Sequence, residues 1–319
     1  MNGELDFEKP IVDIEKRIQE LKTFAKEKKI DFTKEIAELE KKAKELKKES
    51  FANLTAWQRT QIARHIKRPT MLDYIDNIFT DFVELRGDRY FADDKALVGG
   101  FAKLDGRSVL VIGNQKGRDT KENLERNFGM ANPEGYRKAF RLMKLAEKFK
   151  LPIISLIDTP GAYPGMGAEE RGQFDAIAKN LRDIFTIQAP IIVTIIGEGG
   201  SGGALAIGIG DKVLMLENAV YFVCTPETCS IILWRDKTKT DIAAESSQIT
   251  AEALLKLGVI DGVVPEPLGG AHRDPAAACQ ELKKVLINHL SELENVPTHD
   301  LLEKRYEKFR KMGIFTEEL

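Results

Sequence analysis

Apolar residues recur at helical spacing through the first fifty positions. Ile11, Ile14, Ile18 and Leu21 follow a 3,4,3 pattern, and Ile36, Leu39, Ala43 and Leu46 repeat it. Between the two runs, Asp31 and Thr33 are suited to capping a helix start. The pattern predicts two amphipathic helices folded into an antiparallel hairpin, with lysine and glutamate on the solvated face. From about Thr70 onward, short apolar runs alternate with helical periodicity. Strands are predicted at 109–113, 153–157, 191–196, 213–216 and 220–223. Helices are predicted at 134–149, 169–185, 251–257 and 275–293, the last opened by Asp274 as cap and Pro275 at the first helical position. Such alternation implies an α/β body with a largely parallel sheet covered on both faces. The expected division is residues 1–69 for hairpin and linker and 70–319 for the body.

The 319-residue chain is 43% hydrophobic, enough for a sizeable core. A formal net charge of −2 argues against nucleic-acid binding as the main function. No apolar run is long enough to span a membrane. The acidic N-terminus has no apolar stretch of the signal-peptide kind, so a cytoplasmic location is expected. Cys224, Cys229 and Cys279 have neither zinc-site nor disulfide-framework spacing, and are read as inert thiols with no metal site.

The candidate chemistry lies in two glycine-rich turns. Residues 191–209 read as a buried strand, the turn Gly197-Glu-Gly-Gly-Ser-Gly-Gly203, and a short apolar helix. Glycines there let a ligand approach the backbone, and the first N–H groups of the helix are unpaired and carry partial positive charge. Gly197, Gly199 and Gly202 fit a dinucleotide-binding spacing, with Glu217 twenty residues after Gly197. The stretch before the next strand is too short for the crossover helix of that fold. A phosphate-binding loop would need a Gly-Lys-Ser/Thr sequence, which does not follow. Ser201 as nucleophile would need a histidine partner, and His65, His272, His289 and His299 have no local context that supplies one. The second turn, Asp158-Thr-Pro-Gly-Ala-Tyr-Pro-Gly165, also leaves a buried strand and enters a helix. Two consecutive strand–turn–helix units present free amides on one sheet edge, and amides aimed at one point form an oxyanion hole.

These two turns, with Gly167-Ala-Glu-Glu-Arg-Gly-Gln173, Ala92-Asp-Asp-Lys-Ala96, Asn127-Phe-Gly-Met130, Pro133-Glu-Gly-Tyr-Arg-Lys138 and Pro265-Glu-Pro-Leu-Gly-Gly-Ala-His-Arg273, closely resemble the carboxyltransferase alpha subunits of bacterial acetyl-CoA carboxylase. The resemblance covers nearly the whole chain. It implies a crotonase-like (ClpP/crotonase) fold of repeated ββα units with an N-terminal α-helical hairpin. It also implies an active site shared with a separate beta subunit in an α2β2 core. Zinc and most of the acetyl-CoA site would belong to that partner, so that this chain binds no cofactor of its own. Biotin would arrive on a biotin carboxyl carrier protein, loaded by a biotin carboxylase. The carboxyl group would pass from carboxybiotin to acetyl-CoA, giving malonyl-CoA for fatty acid biosynthesis. Charge developing on the ureido oxygen needs fixed donors, and biotin itself can take the methyl proton. By the resemblance, Gly202 and Gly203 are the catalytic donors, while Gly161, Ala162, Gly165, Gly199 and Gly200 form the carboxybiotin side.

Other features have plainer readings. Lys116, Arg118, Lys121 and Arg126 form a basic loop, either solvated or facing CoA phosphates or the carrier protein. The basic run 64–69 reads as linker surface, His272-Arg273 as a structural turn, and Glu169, Glu170 and Arg171 as a helix start. Trp57 and Trp234 read as packing residues. Two alternatives stand beside the carboxyltransferase: a self-sufficient crotonase-type acyl-CoA hydratase or isomerase, and a non-catalytic scaffold subunit.

Overall fold

The computed structural model describes residues 5–28 and 31–313. Among these, eight strands form one sheet: β1 Thr80–Glu84, β2 Leu97–Leu104, β3 Arg107–Asn114, β4 Ile153–Thr159, β5 Ile191–Gly200, β6 Lys212–Leu216, β7 Val220–Phe222 and β8 Gly262–Val264. Their order is β1-β2-β3-β4-β5-β6-β8, with β7 paired to the end of β5. The first three run antiparallel, and from β3 onward every pairing is parallel. β4 and β5 are buried at every position. This is the burial that uninterrupted isoleucine and valine runs suit in a parallel sheet covered on both faces.

All five predicted strands are present, and β5 runs four residues further than expected, through Gly197–Gly200. The glycine-rich stretch therefore belongs to the strand up to Gly200. β1, β2 and β8 were not foreseen. In β2 the pair Gly99-Gly100 serves close approach. A Cβ at Gly100 would lie 2.2 Å from the Val83 carbonyl oxygen, and one at Gly99 would lie 2.6 Å from Leu142. The helix predicted at 169–185 is two helices, Met166–Glu170 and Gln173–Asp183. Gly172, at φ +83°, takes the left-handed conformation between them and ends the first.

The N-terminal hairpin is formed by Lys9–Lys28 and Thr33–Ala52. The pairs Lys22–Glu40, Glu15–Lys47 and Phe7–Phe51 establish its antiparallel sense. The Asp31 carboxylate accepts the Thr33 amide at 2.9 Å, and Lys29 and Ile30 lie outside the described residues. The His272-Arg273 turn docks this hairpin on the body. His272 Nε2 lies 3.1 Å from buried Glu8, Arg273 donates to the same carboxylate at 3.0 Å, and Arg273 also pairs with Glu15. The stretch 64–69 is only partly the expected linker surface: Ile66 and Lys67 are exposed, but Arg68 and Pro69 are buried. Arg68 donates to the Ile196 carbonyl at 2.8 Å and to both oxygens of Glu266. Trp57 packs beside Val220 and Phe222 as expected. Trp234 is exposed instead, with Lys239 over its ring.

Glu266 also accepts the amides of Asn218 and Ala271. Burial alone would raise its carboxyl, but the Arg68 charge and hydrogen bonds outweigh burial and hold it at about 2. The folded value thus lies below the ordinary 4.5. The resulting stability is complete above about pH 4.5 and is lost as pH falls toward 2. Glu266→Ala leaves Arg68 charged and unpaired in the interior, and urea unfolding is expected to show a loss of about 3–5 kcal/mol. Its stability should also decline less between pH 4.5 and 3 than that of the parent. Equal acid dependence of the two proteins would rule out this pair as the source.

Candidate active site at two paired turns

β4 and β5 pair in parallel from Ile153↔Ile191 to Ile157↔Ile195, and pairing resumes at Thr159↔Gly199. Two residues advance on β4 against four on β5, so β5 bulges between these points. Both strands end on the same sheet edge. β4 leads into the Pro160–Gly165 turn, where Thr159 Oγ1 donates to the Gly161 carbonyl at 2.6 Å. Gln173 Nε2 holds the far side of that turn through the carbonyls of Ala131 and Tyr163. β5 turns abruptly at Ser201, φ +49°, into the helix Ser201–Leu205.

The two turns touch backbone to backbone. A Cβ at Gly200 would lie 2.1 Å from the Pro160 carbonyl oxygen. One at Gly203 would lie 2.4 Å from the Gly161 carbonyl carbon and 2.7 Å from the Ala162 nitrogen. Gly202 is different: its Cβ would meet Ile177 at an ordinary 3.5 Å. Gly199 packs under the Tyr221 ring, on the β7 side. Gly161, Ala162, Gly165, Gln173 and Gly202 line one groove of about 570 Å³. A second, apolar groove of about 760 Å³ lies beyond Ser201 and Gly202, bordered by Leu205, Tyr221, Val223 and Phe309. Of the residues expected at the site, Gly161, Ala162, Gly165 and Gly202 face the groove. Gly200 and Gly203 lie beneath it as the contact between turns, and Gly199 is in the strand.

Among the described residues, the amides of Ala162, Gly202 and Gly203 have no hydrogen-bond acceptor. For the two glycines this follows from their place in the first turn of a five-residue helix. Neither groove that Ser201 lines carries a histidine. His272, His289 and His299 are engaged with Glu8, Glu292 and Asp300. The geometry therefore offers fixed, uncharged donors rather than an activated nucleophile.

Behind the turns lies a charged cluster that sequence reasoning missed. Lys116 Nζ is 2.7 Å from Asp158 Oδ1 and 2.7 Å from Glu198 Oε2. Asp158 Oδ1 accepts the Glu198 amide at 2.9 Å, and Arg64 Nε donates to Glu198 at 2.6 Å. Burial would lower the Lys116 ammonium, but Asp158 and Glu198 outweigh it and hold it above its ordinary value. Burial would likewise raise the Glu198 carboxyl, and Lys116 and Arg64 together keep it lowered. Of the other cations of the basic loop, Arg118 pairs with Asp73 and Arg126 with Glu122. A signal existed: Asp158 and Glu198 both close strongly apolar strands, and carboxylates so placed require a buried cation.

Residues 4–313 match the family described as acetyl co-enzyme A carboxylase carboxyltransferase-like. The acetyl-coenzyme A carboxylase carboxyl transferase subunit alpha of Geobacter metallireducens is 58% identical over 314 residues, covering 98% of this chain and 98% of that protein. The same subunit of Haemophilus ducreyi is 58% identical over 310 residues, covering 97% of this chain and 98% of the other. Among solved structures, transcarboxylase 12S superposes with a TM-score of 0.56 at 22% identity, over 70% of this chain and 42% of that one. A chain of a Pseudomonas malonate decarboxylase hetero-tetramer in complex with coenzyme A superposes with a TM-score of 0.56 at 18% identity, over 67% of this chain and 85% of that one. These likenesses bear out the crotonase-like α/β fold.

The two adjacent glycines should respond differently to a single methyl group. Gly203→Ala drives a Cβ into the opposing turn and is expected to cost about 1–3 kcal/mol in urea unfolding. Gly202→Ala should stay within about 1 kcal/mol of the parent, since its Cβ makes only ordinary contacts. Equal losses at the two positions would contradict the backbone contact between the turns.

Proposed function

This chain belongs to the acetyl co-enzyme A carboxylase carboxyltransferase-like family, and we propose that it is the alpha half of a biotin-dependent carboxyltransferase. In this reading the carboxyl group passes from carboxybiotin, held on a biotin carboxyl carrier protein, to acetyl-CoA. A biotin carboxylase loads the carrier, and the malonyl-CoA formed enters fatty acid biosynthesis in the cytoplasm. The observation that carries the reading is the set of unpaired amides at Ala162 and Gly202, which line one groove, and at Gly203 directly beneath it. An oxygen that gains charge there meets donors that need no reorganisation, and removing one such donor typically costs about 10²–10³ in rate. When bound, carboxybiotin supplies the carboxyl group and the base that takes the methyl proton. The chain's own part is to hold the ureido oxygen against these amides and to wall the ring with the Gly161–Gly165 turn.

The groove's composition fits that division. Its lining has no histidine, cysteine or lysine, and Glu169 is its one carboxylate among the described residues. A hydratase or isomerase acting alone would need a poised acid and base over the acyl chain, so this lining favours carboxyl transfer. A beta subunit, in an α2β2 core and carrying the zinc and most of the acetyl-CoA site, would complete the active site. Its docking is supported by an exposed apolar surface next to the grooves. Val223 is 85% exposed and Ile232 69%, with Leu233, Trp234 and Ile242 also exposed.

The reading is tested in the enzyme assembled from this chain, its beta partner and biotinylated carrier. Gly203→Val should lower malonyl-CoA formation by at least about 10²-fold while the complex still forms. Carboxyl transfer at near the parent rate by that assembled variant would dismiss the glycine assignment. Hydratase activity of the isolated chain would favour the single-chain alternative.

A further inference from the structure

We propose that Lys116 is a positioning residue for carboxyl transfer: by bridging Asp158 and Glu198 it sets the register between the two turns whose amides face the groove. The inference rests on the reading above that those amides stabilise the developing charge.

The bulge in β5 carries the argument. An unbroken parallel ladder beyond Ile157↔Ile195 would place Gly197 opposite Thr159, but Gly199 is found there. The difference is two residues of strand, or about 6.6 Å along the chain. In an unbroken ladder the Ser201 turn would overshoot the Gly161 turn by that distance, and Gly203 would not rest on Gly161. The slack lies between Ile195 and Gly199, where Glu198 sits, and Asp158 is its neighbour across the strands. The Lys116 ammonium at 2.7 Å from each carboxylate holds these two points together.

The surroundings are built for this contact. Gly197 has no side chain where a Cβ would lie 2.4 Å from Asp158 Oδ1. Gly129, at φ +82°, leaves open a place that a Cβ would fill at 2.7 Å from the Asp158 carbonyl oxygen and 3.1 Å from Lys116 Cγ. The backbone before Lys116 is itself pinned. The Gln115 amide donates to the Ala96 carbonyl at 2.9 Å, its side-chain oxygen accepts the Leu72 amide at 2.9 Å, and its side-chain nitrogen donates to the Lys116 carbonyl at 2.6 Å. The lysine therefore reaches the bulge from a fixed origin. Its side chain lines a small cavity of about 230 Å³ with Arg64, Arg68, Asp158 and Glu198, and lines neither groove beside Ser201. It acts on the reaction only through the turns.

Lys116→Met leaves two buried carboxylates facing each other without their common cation. In the assembled enzyme, kcat is expected to fall about 10²-fold, as for a misplacement of about 1 Å. KM for acetyl-CoA should change little. Backbone amide exchange at Gly161, Tyr163 and Ala206, whose amides are hydrogen-bonded to Thr159 Oγ1 and to the carbonyls of Ala131 and Gly202, should accelerate. The double variant Lys116→Met/Asp158→Asn removes one charge, keeps an oxygen acceptor for the Glu198 amide and leaves Glu198 paired with Arg64. It should recover much of the lost kcat, which a general loss of folding would not permit. If Lys116→Met alone fails to assemble, the double variant compared with Asp158→Asn carries the same test, with slower exchange and higher kcat expected when Lys116 is present. Unchanged exchange at the turns on loss of Lys116 overturns the positioning role and leaves the carboxyltransferase reading standing. Faster exchange with undiminished kcat overturns the oxyanion reading on which the proposal rests.

Discussion

Two neighbouring parallel strands can bring their loops to one point only if the loop backbones can touch. In this chain they touch where Gly203 rests on Gly161 and Gly200 on Pro160. Much of the local structure follows from that contact. Neither Gly200 nor Gly203 can carry a side chain without displacing the opposing turn, because each Cβ would fall within 2.5 Å of it. β5 must be longer than β4 to reach the contact, and it runs ten residues against seven. Having reached it, the chain must turn at once, and Ser201 does so with a positive φ that an L-residue rarely adopts. The helix that follows is short, which leaves its first amides unpaired beside the groove.

Holding such a contact requires that β5 not slide, and three buried carboxylates serve that end. Asp211 accepts the Ile191 amide at the start of β5 and pairs with Arg305, whose guanidinium also donates to the carbonyls of Ile184, Ile187 and Ala189. Asp158 accepts the Glu198 amide near the end of β5 and pairs with Lys116. Glu266 accepts the Asn218 amide beyond β6 and pairs with Arg68, which returns a bond to the Ile196 carbonyl. Each carboxylate binds a backbone amide at or near a strand end and a cation from a remote segment. Buried ion pairs recover little net stability once desolvation is counted. Their value here is directional, because a hydrogen-bonded amide and a paired cation specify one register of one strand.

The sheet was legible where burial imposes a pattern. The isoleucine and valine runs of β4 and β5 identify central strands because both faces of a parallel strand are covered. β1 escaped notice because none of its five positions is buried, and β2 because Gly99 and Gly100 look like punctuation, although there they admit Leu142 and the Val83 backbone. In the helix predicted over 169–185 the apolar positions begin only at Phe174, so their spacing does not bear on the break at Gly172, and spacing carries no information on the sign of φ. The paired turns were legible from their glycines and from the order strand, turn, helix. Lys116 was not, since its neighbours Arg118 and Lys121 give it the look of a solvated loop. Only the fold shows that it lies behind Asp158 and Glu198, residues 42 and 82 positions away in the chain.

A site whose working groups are backbone amides differs from one built on side chains. Amides do not titrate near neutrality, cannot deliver or remove a proton, and cannot be retuned by a neighbouring charge as a carboxyl or imidazole can. They can only favour a charge that forms at the right place, so their performance depends wholly on position. The charged cluster behind the turns is consistent with that demand. Lys116 is held above its ordinary value and Glu198 below its own, so both stay ionised around neutrality. Such a site can stabilise one oxyanion, whereas carboxyl transfer between biotin and a thioester develops charge on two oxygens in turn. A single pair of turns leaves the second unmet, and the exposed apolar residues around Val223 and Ile232 leave a surface uncovered beside the same grooves. One partner seated on that surface, bringing its own donors, would meet both deficits.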